Sequence, residues 1–328
     1  MTGIKIDTVA VIGAGRMGHG IAVMYALDGR SVSVYDVDET VLEKCQSRIK
    51  GVLETFVAAG HASPDEAERA LENIDTEPEF ARAVAGADFV TEVVAEDLEI
   101  KQAVFERLDD HTPAEAILAT NTSGLSIDDI AAPVADASRV LGTHWFNPPY
   151  IVPLVEVVKG SATEDESAET VHDLLESVGK TPVMVEKDIP GFIGNRIQTA
   201  MSYEAFSLLA RGVATPADID KAVKAGFGLR LPVLGIFEKM DQSGLGIHHE
   251  VEKRLMPTLD RGTEPNDAVT ELLENGDDGW ESGKGIYDWT DVSREEVTRN
   301  RDAALLDLLT LYRGANTRSA PPANYDKT

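Results

Sequence analysis

Cysteine is almost absent: Cys45 is the single one in 328 residues. One thiol cannot close an intramolecular disulfide, and with no CxxC pair it reads as an ordinary helix residue, not a redox or metal centre. Positive charge is also scarce. Lys and Arg number 30 against 57 Asp and Glu, a net charge of −27. Such a balance disfavours nucleic acid and anionic membranes as partners. No apolar run reaches the roughly 18 residues of a membrane span, and a short polar lead enters the first strand without a leader-like segment. A cytoplasmic location is the expectation. There is no internal repeat. His61, His111, His172, His248 and His249 show no ligand spacing, so no metal is expected.

What remains is a globular chain. Hydrophobic residues make up 43%, and the length allows one or two domains. The acids are dispersed, as in Glu66, Glu68, Glu72, Glu77 and Glu79 or Asp277, Asp278 and Glu281. A dense acidic surface of this kind suits a cytoplasm of very high salt, where self-repulsion is screened.

Residues 8–12 form a short β-run that leads directly into Gly13-Ala14-Gly15-Arg16-Met17-Gly18 and then a helix pattern from His19. In this strand, G-x-G-x-x-G, helix order, Gly13 allows the tight turn, Gly15 the approach of a pyrophosphate, and Gly18 close helix packing. The helix start offers free N–H groups to phosphate. A second strand, 31–35, ends in Asp36, placed to accept from ribose hydroxyls and to repel a 2′-phosphate, so NAD is favoured over NADP. His19 receives no chemical role.

Residues 141–158, LGTHWFNPPYIVPLVEVV, read as a strand, a proline-rich turn and a returning strand. Folded antiparallel about Tyr150, they bring His144 opposite Glu156. An imidazole facing a carboxylate is the pairing that a general base requires.

Elsewhere helices are expected at 40–60 and 64–71, a strand at 87–95 with Glu92 and Glu96 near its end, a helix at 97–109 and a strand at 116–119. A helix at 163–179, a strand at 182–185, a turn at 188–191, a long helix at 192–211 and another from 215 to about 225 follow. The alternation implies an α/β, Rossmann-type doubly wound sheet, with ligands at the carboxyl ends of its strands. Glu96, Lys101, Asn121, Ser123, His144 and Asn147 fall at such ends.

With these residues in view, the chain resembles the 3-hydroxyacyl-CoA dehydrogenase family over essentially its whole length. The matching motifs are VIGAGRMGHGIA from Val11, Asn121-Thr122-Ser123, His144-Trp145-Phe146-Asn147-Pro148, Leu154-Val155-Glu156-Val157, Pro190-Gly191-Phe192-Ile193-Gly194-Asn195-Arg196 and Ser282-Gly283-Lys284-Gly285-Ile286-Tyr287. The resemblance implies an NAD-binding domain at 1–189 and an all-helical substrate and dimerisation domain at 190–314; residues 315–328, polar and proline-containing, read as a flexible tail. It implies a homodimer acting on a small-molecule substrate, with His144 as base, Glu156 as its orienting partner, and Ser123 and Asn195 holding the reacting oxygen. Cofactor contacts are implied at Gly13, Gly15, Arg16, Met17, Gly18, Asp36, Glu96, Lys101, Asn121, Ser123 and Asn147, and substrate contacts at Ser123, Asn195 and Arg230.

The chain departs from the acyl-CoA members in three places. It has no Lys or Arg from 51 to 60, where CoA users tend to place cations. Residues 147–153 and 228–230 look more like the branch with lambda-crystallin (gulonate dehydrogenase), carnitine dehydrogenase and a pyridine-carboxylate dehydrogenase, and residues 235–238 lack a proline usual in the acyl-CoA members. In that branch Arg230 would hold a free carboxylate. Against these departures, Asn121-Thr122-Ser123 resembles the acyl-CoA enzymes, and the expected reaction is NAD-dependent oxidation of L-3-hydroxyacyl-CoA. The alternatives are the same chemistry on a free 3-hydroxy acid, or a crystallin-like protein that binds NAD without turnover.

Overall fold

The computed structural model describes residues 5–316. The chain divides into two compact units, Met1–Arg196 and Ile197–Thr328.

The first unit is an eight-stranded sheet with its helices. In chain order the elements are β1 (Thr8–Ile12), α1 (Gly18–Leu27), β2 (Ser31–Tyr35), α2 (Glu39–Ala58), α3 (Pro64–Glu72), β3 (Ile74–Thr76), α4 (Phe80–Val84) and β4 (Phe89–Glu92). There follow α5 (Leu98–His111), β5 (Ile117–Thr120), α6 (Ile127–Ala131), β6 (Val140–Trp145), β7 (Leu154–Lys159), α7 (Asp165–Ser177) and β8 (Thr181–Val185). The strand order is β3-β2-β1-β4-β5-β6-β7-β8. Only β6 and β7 run antiparallel; the other pairs are parallel. Every residue of β4, β5 and β6 is buried, so both sheet faces are covered there. The expected Rossmann-type fold is the one observed, and the order reverses between β1 and β4, where such sheets open their ligand crevice.

Local chemistry explains the helix limits. Asp38 caps α2 by accepting from the Thr40 amide. Ser63 and Glu66 form a reciprocal capping box on α3, with Pro64 at its first turn. On α2, Cys45 is wholly buried and burial pushes its thiol up to about 11, so it packs as a small apolar residue.

Several limits differ from expectation. β4 stops at Glu92, not at 95, because the Glu92 carboxylate turns back to accept from the Val94 amide at 2.6 Å. The helix expected at 192 starts at Gly194, since Gly191 and Phe192 take φ of 78° and 47°, which no helix accommodates. The short elements β3, α4 and α6 were not foreseen; none has more than five residues, too few to show a period.

The second unit continues α8 (Gly194–Ala210) and holds α9 (Pro216–Val223), α10 (Ile236–Ser243), α11 (Leu245–Leu255), α12 (Asp267–Glu274) and α13 (Arg294–Asn316). It is helical, as expected. Among its described residues Leu306 and Leu309 are the buried hydrophobics, whereas Phe237, Leu229 and Leu311 are exposed. The tail expected from 315 lies outside the described residues from 317 on, and 315–316 still belong to α13. None of the helices of the described residues is long and apolar enough to cross a membrane.

Candidate active site

The β6–β7 register pairs His144 with Glu156 across the two antiparallel strands. Both side chains are buried, and His144 Nδ1 lies 2.6 Å from Glu156 Oε2. The other carboxylate oxygen, Oε1, accepts from the amides of Ile193 at 2.9 Å and Gly194 at 2.8 Å. Burial alone would raise the Glu156 pKa. The bonds from His144, Gly194 and Ile193 outweigh it and hold the carboxyl below the usual carboxylate range. An ionised carboxylate has no proton to give, so Nδ1 must be the donor. Nε2 is then the basic nitrogen of the neutral ring. The ring itself lies between Phe146 and Phe192, with centroids 4.5 and 5.6 Å away.

Asn195 follows directly on the two amides that hold Glu156 and is half-buried in the first turn of α8. Ser123 arrives from the other side. Its turn packs on the 190–191 segment so closely that a Cβ at Gly124 would lie 3.1 Å from the Gly191 nitrogen. Ile127 N–H donates to Asp188, closing the same junction at 2.6 Å. Ser123 is exposed, and its amide donates to Glu96 Oε1 at 2.7 Å; the Thr122 hydroxyl donates to the same oxygen at 2.6 Å. Asn121 Oδ1 accepts from the Trp145 amide at 2.8 Å, tying the end of β5 to the residue after His144.

At the glycine turn, Gly13 has φ of 115°, and a Cβ there would lie 2.8 Å from the Val93 carbonyl oxygen at the end of β4. A Cβ at Gly18 would lie 1.8 Å from the Gly13 carbonyl oxygen, so the turn closes only with glycine. At Gly15 a Cβ would meet nothing within 4 Å, which leaves the backbone open to an approaching pyrophosphate. No side chain caps the start of α1, whose N–H groups face the same turn.

A family model of the 3-hydroxyacyl-CoA dehydrogenase NAD-binding domain matches residues 8–189, and one of the C-terminal domain matches residues 191–289. The chain belongs to the 3-hydroxyacyl-CoA dehydrogenase family. It is 33% identical over 309 residues to a 5-formyl-3-hydroxy-2-methylpyridine 4-carboxylate 5-dehydrogenase of Mesorhizobium japonicum, covering 94% of this chain and 99% of that one. It is 37% identical over 304 residues to the 3-hydroxyadipyl-CoA dehydrogenase of Escherichia coli, covering 90% of this chain and 61% of the relative. Among solved structures, a 5-formyl-3-hydroxy-2-methylpyridine 4-carboxylic acid 5-dehydrogenase, described as an NAD+-dependent dismutase, aligns with a TM-score of 0.89 at 32% identity. It covers 94% of this chain and 99% of that one. The protein is an NAD-dependent oxidoreductase of CH–OH groups, as its family is.

The residues of this member of the 3-hydroxyacyl-CoA dehydrogenase family fit NAD. Asp36 accepts from the amides of Ala14 at 2.7 Å and Asp38 at 3.0 Å, and each carboxylate oxygen keeps a lone pair for a ribose hydroxyl. Arg16 is exposed and Met17 half-buried in the turn, and Asn147 is exposed just before Pro148, to which it is joined by a cis peptide. His19 Nδ1 donates to the Gly15 carbonyl, 2.8 Å away, and burial foremost lowers its pKa, which leaves it neutral in the loop. Asp36→Ala is expected to weaken NAD binding and narrow its advantage over NADP. Titration with both cofactors checks this, and an unchanged preference would remove the ribose role.

The structure also places the two remaining cations of the sequence reading. Lys101 is wholly buried, its ammonium 2.9 and 3.1 Å from the Glu92 oxygens and 3.5 Å from Glu96 Oε2. Arg230 belongs to the second unit, where it is exposed. On α7, His172, Asp173 and Glu176 bring ligand-type atoms within 4.8 Å of one another, a grouping of largely exposed side chains. Sequence reasoning missed Glu92 and Thr122 as site residues. Their signals were an acid inside the apolar run FVTEVV and a hydroxyl between Asn121 and Ser123.

Proposed function

We propose that the protein catalyses the reversible oxidation of the secondary alcohol of an L-3-hydroxyacyl-CoA to the 3-ketoacyl-CoA. The observation that carries this is the His144–Glu156 pair with Glu156 locked by two amides, which leaves one ring nitrogen as base. Bound NAD supplies the hydride acceptor. His144 Nε2 removes the hydroxyl proton as the carbonyl forms, and Glu156 stabilises the imidazolium. In reduction the imidazolium returns that proton to the growing alkoxide, while Ser123 and Asn195 donate neutral hydrogen bonds to the same oxygen.

A second reading, a free 3-hydroxy acid as substrate, has specific support. The α2–α3 hairpin, residues 39–72, carries seven acids and four bases, a poor seat for the phosphates of CoA. The Mesorhizobium relative, matched over 99% of its length, is named for a pyridine carboxylate. Kinetics with acetoacetyl-CoA and NADH, against L-gulonate, carnitine and 3-hydroxybutyrate with NAD, separate the two. Turnover on a free acid alone overturns the CoA ester.

The same reading makes the protein a cytoplasmic homodimer joined through its second unit, whose exposed Phe237, Leu229 and Leu311 call for a partner surface. The net charge of −27 makes it an enzyme of concentrated salt. Sedimentation in molar KCl is expected to show a two-chain species. Melting is expected at a higher temperature there than in dilute buffer; equal melting in both removes the high-salt reading.

A further inference from the structure

Resting on the dehydrogenase reading above, we infer that Glu92 is a positioning residue for the Ser123 turn, acting through Lys101 and Glu96. Glu92 ends β4 directly beside Thr120, the last residue of β5. It is wholly buried and held on every side. Oε1 accepts from the Val94 amide at 2.6 Å and from Lys101 at 2.9 Å; Oε2 accepts from the Thr120 hydroxyl at 2.7 Å and from Lys101 at 3.1 Å. Two strand ends and the ammonium thus share one immobile anion.

Lys101 carries that rigidity outward. Its ammonium is fully buried, spends two contacts on Glu92 and reaches Glu96 Oε2 at 3.5 Å. Glu96 is the soft link, for its side chain is 44% exposed and would otherwise sample several rotamers in water. Pinned by Lys101 through Oε2, it presents Oε1 to both the Thr122 hydroxyl and the Ser123 amide. The order of the chain is therefore sheet, Glu92, Lys101, Glu96, Ser123. A group that must sit at hydrogen-bond distance from a reacting oxygen is placed by the sheet and not by its own loop.

A buried charge pair would also matter for stability alone, so the test separates the two roles. Glu92→Gln together with Lys101→Met removes both charges in similar volume, and the fold keeps its charge balance. This double variant is expected to regain the melting temperature that either single change loses. It is nevertheless expected to lose about tenfold in kcat, because Glu96 has lost its pin. Exchange of the Ser123 amide hydrogen, followed by mass spectrometry or NMR, is expected to accelerate about tenfold in the same variant. Wild-type kcat, or an unchanged Ser123 exchange rate in the stably folded double variant, overturns the inference. Should the wild-type enzyme turn over none of the hydroxy substrates, the dehydrogenase reading fails, and the exchange rate still decides the positional role of Glu92.

Discussion

His144→Gln is expected to lower kcat by roughly 10² to 10⁴ while leaving NADH binding intact. Glutamine approximates the ring's reach and hydrogen bonding but takes no proton at any working pH, so the loss reports the base and not the shape. The two backbone amides at Ile193 and Gly194 keep Glu156 in place without its histidine, which limits collateral damage. Glu156→Gln should cost less, because the imidazole remains and only its tautomer and charge support are weakened. The depressed Glu156 pKa sets the acid limit of the pair. A carboxylate with a lowered folded pKa contributes stability that is complete above its unfolded pKa and is lost only as pH falls through the lowered value. Acid inactivation above that range therefore does not come from Glu156. Single-turnover rates and NADH titration on both variants check these expectations, and a His144 variant with wild-type kcat would end the assignment.

Lys101→Met is expected to destabilise the first unit by about 3–5 kcal/mol, the usual consequence of stranding one member of a buried pair. The stranded member is Glu92, wholly buried, with its remaining donors the Val94 amide and the Thr120 hydroxyl. At about 2–4 °C per kcal/mol for a unit of this size, melting falls by roughly 10 °C. Calorimetry in concentrated salt reads the effect directly. A melting temperature unmoved by the substitution would show that the ammonium contributes nothing net to the fold.

Legibility followed the length scale of each signal. The glycine turn was readable because Gly13, Gly15 and Gly18 each answer a local steric demand within one turn of chain, and Asp36 follows at the end of the next strand. The His144–Glu156 pairing was readable because a period-2 pattern about a proline-rich turn determines which residues face each other. The burial of Lys101 was not. A lysine at the start of a helix looks like any surface cation, and its burial arises only where β4, β5 and α5 converge. β3, α4 and α6 escaped for a simpler reason, each being too short to repeat its helical or strand period even twice.

By itself the sequence determined the fold class, the cofactor and the pairing of His144 with Glu156, since each depends on residues near one another in the chain or on strand alternation. Only the tertiary structure decided what holds that pair and its neighbours in place. Glu156 takes its second set of hydrogen bonds from residues 37 and 38 positions later, and Ser123 is held by an acid 27 positions earlier. Partners so far apart in sequence carry no periodic signature, because the sheet order, and not the chain, makes them neighbours.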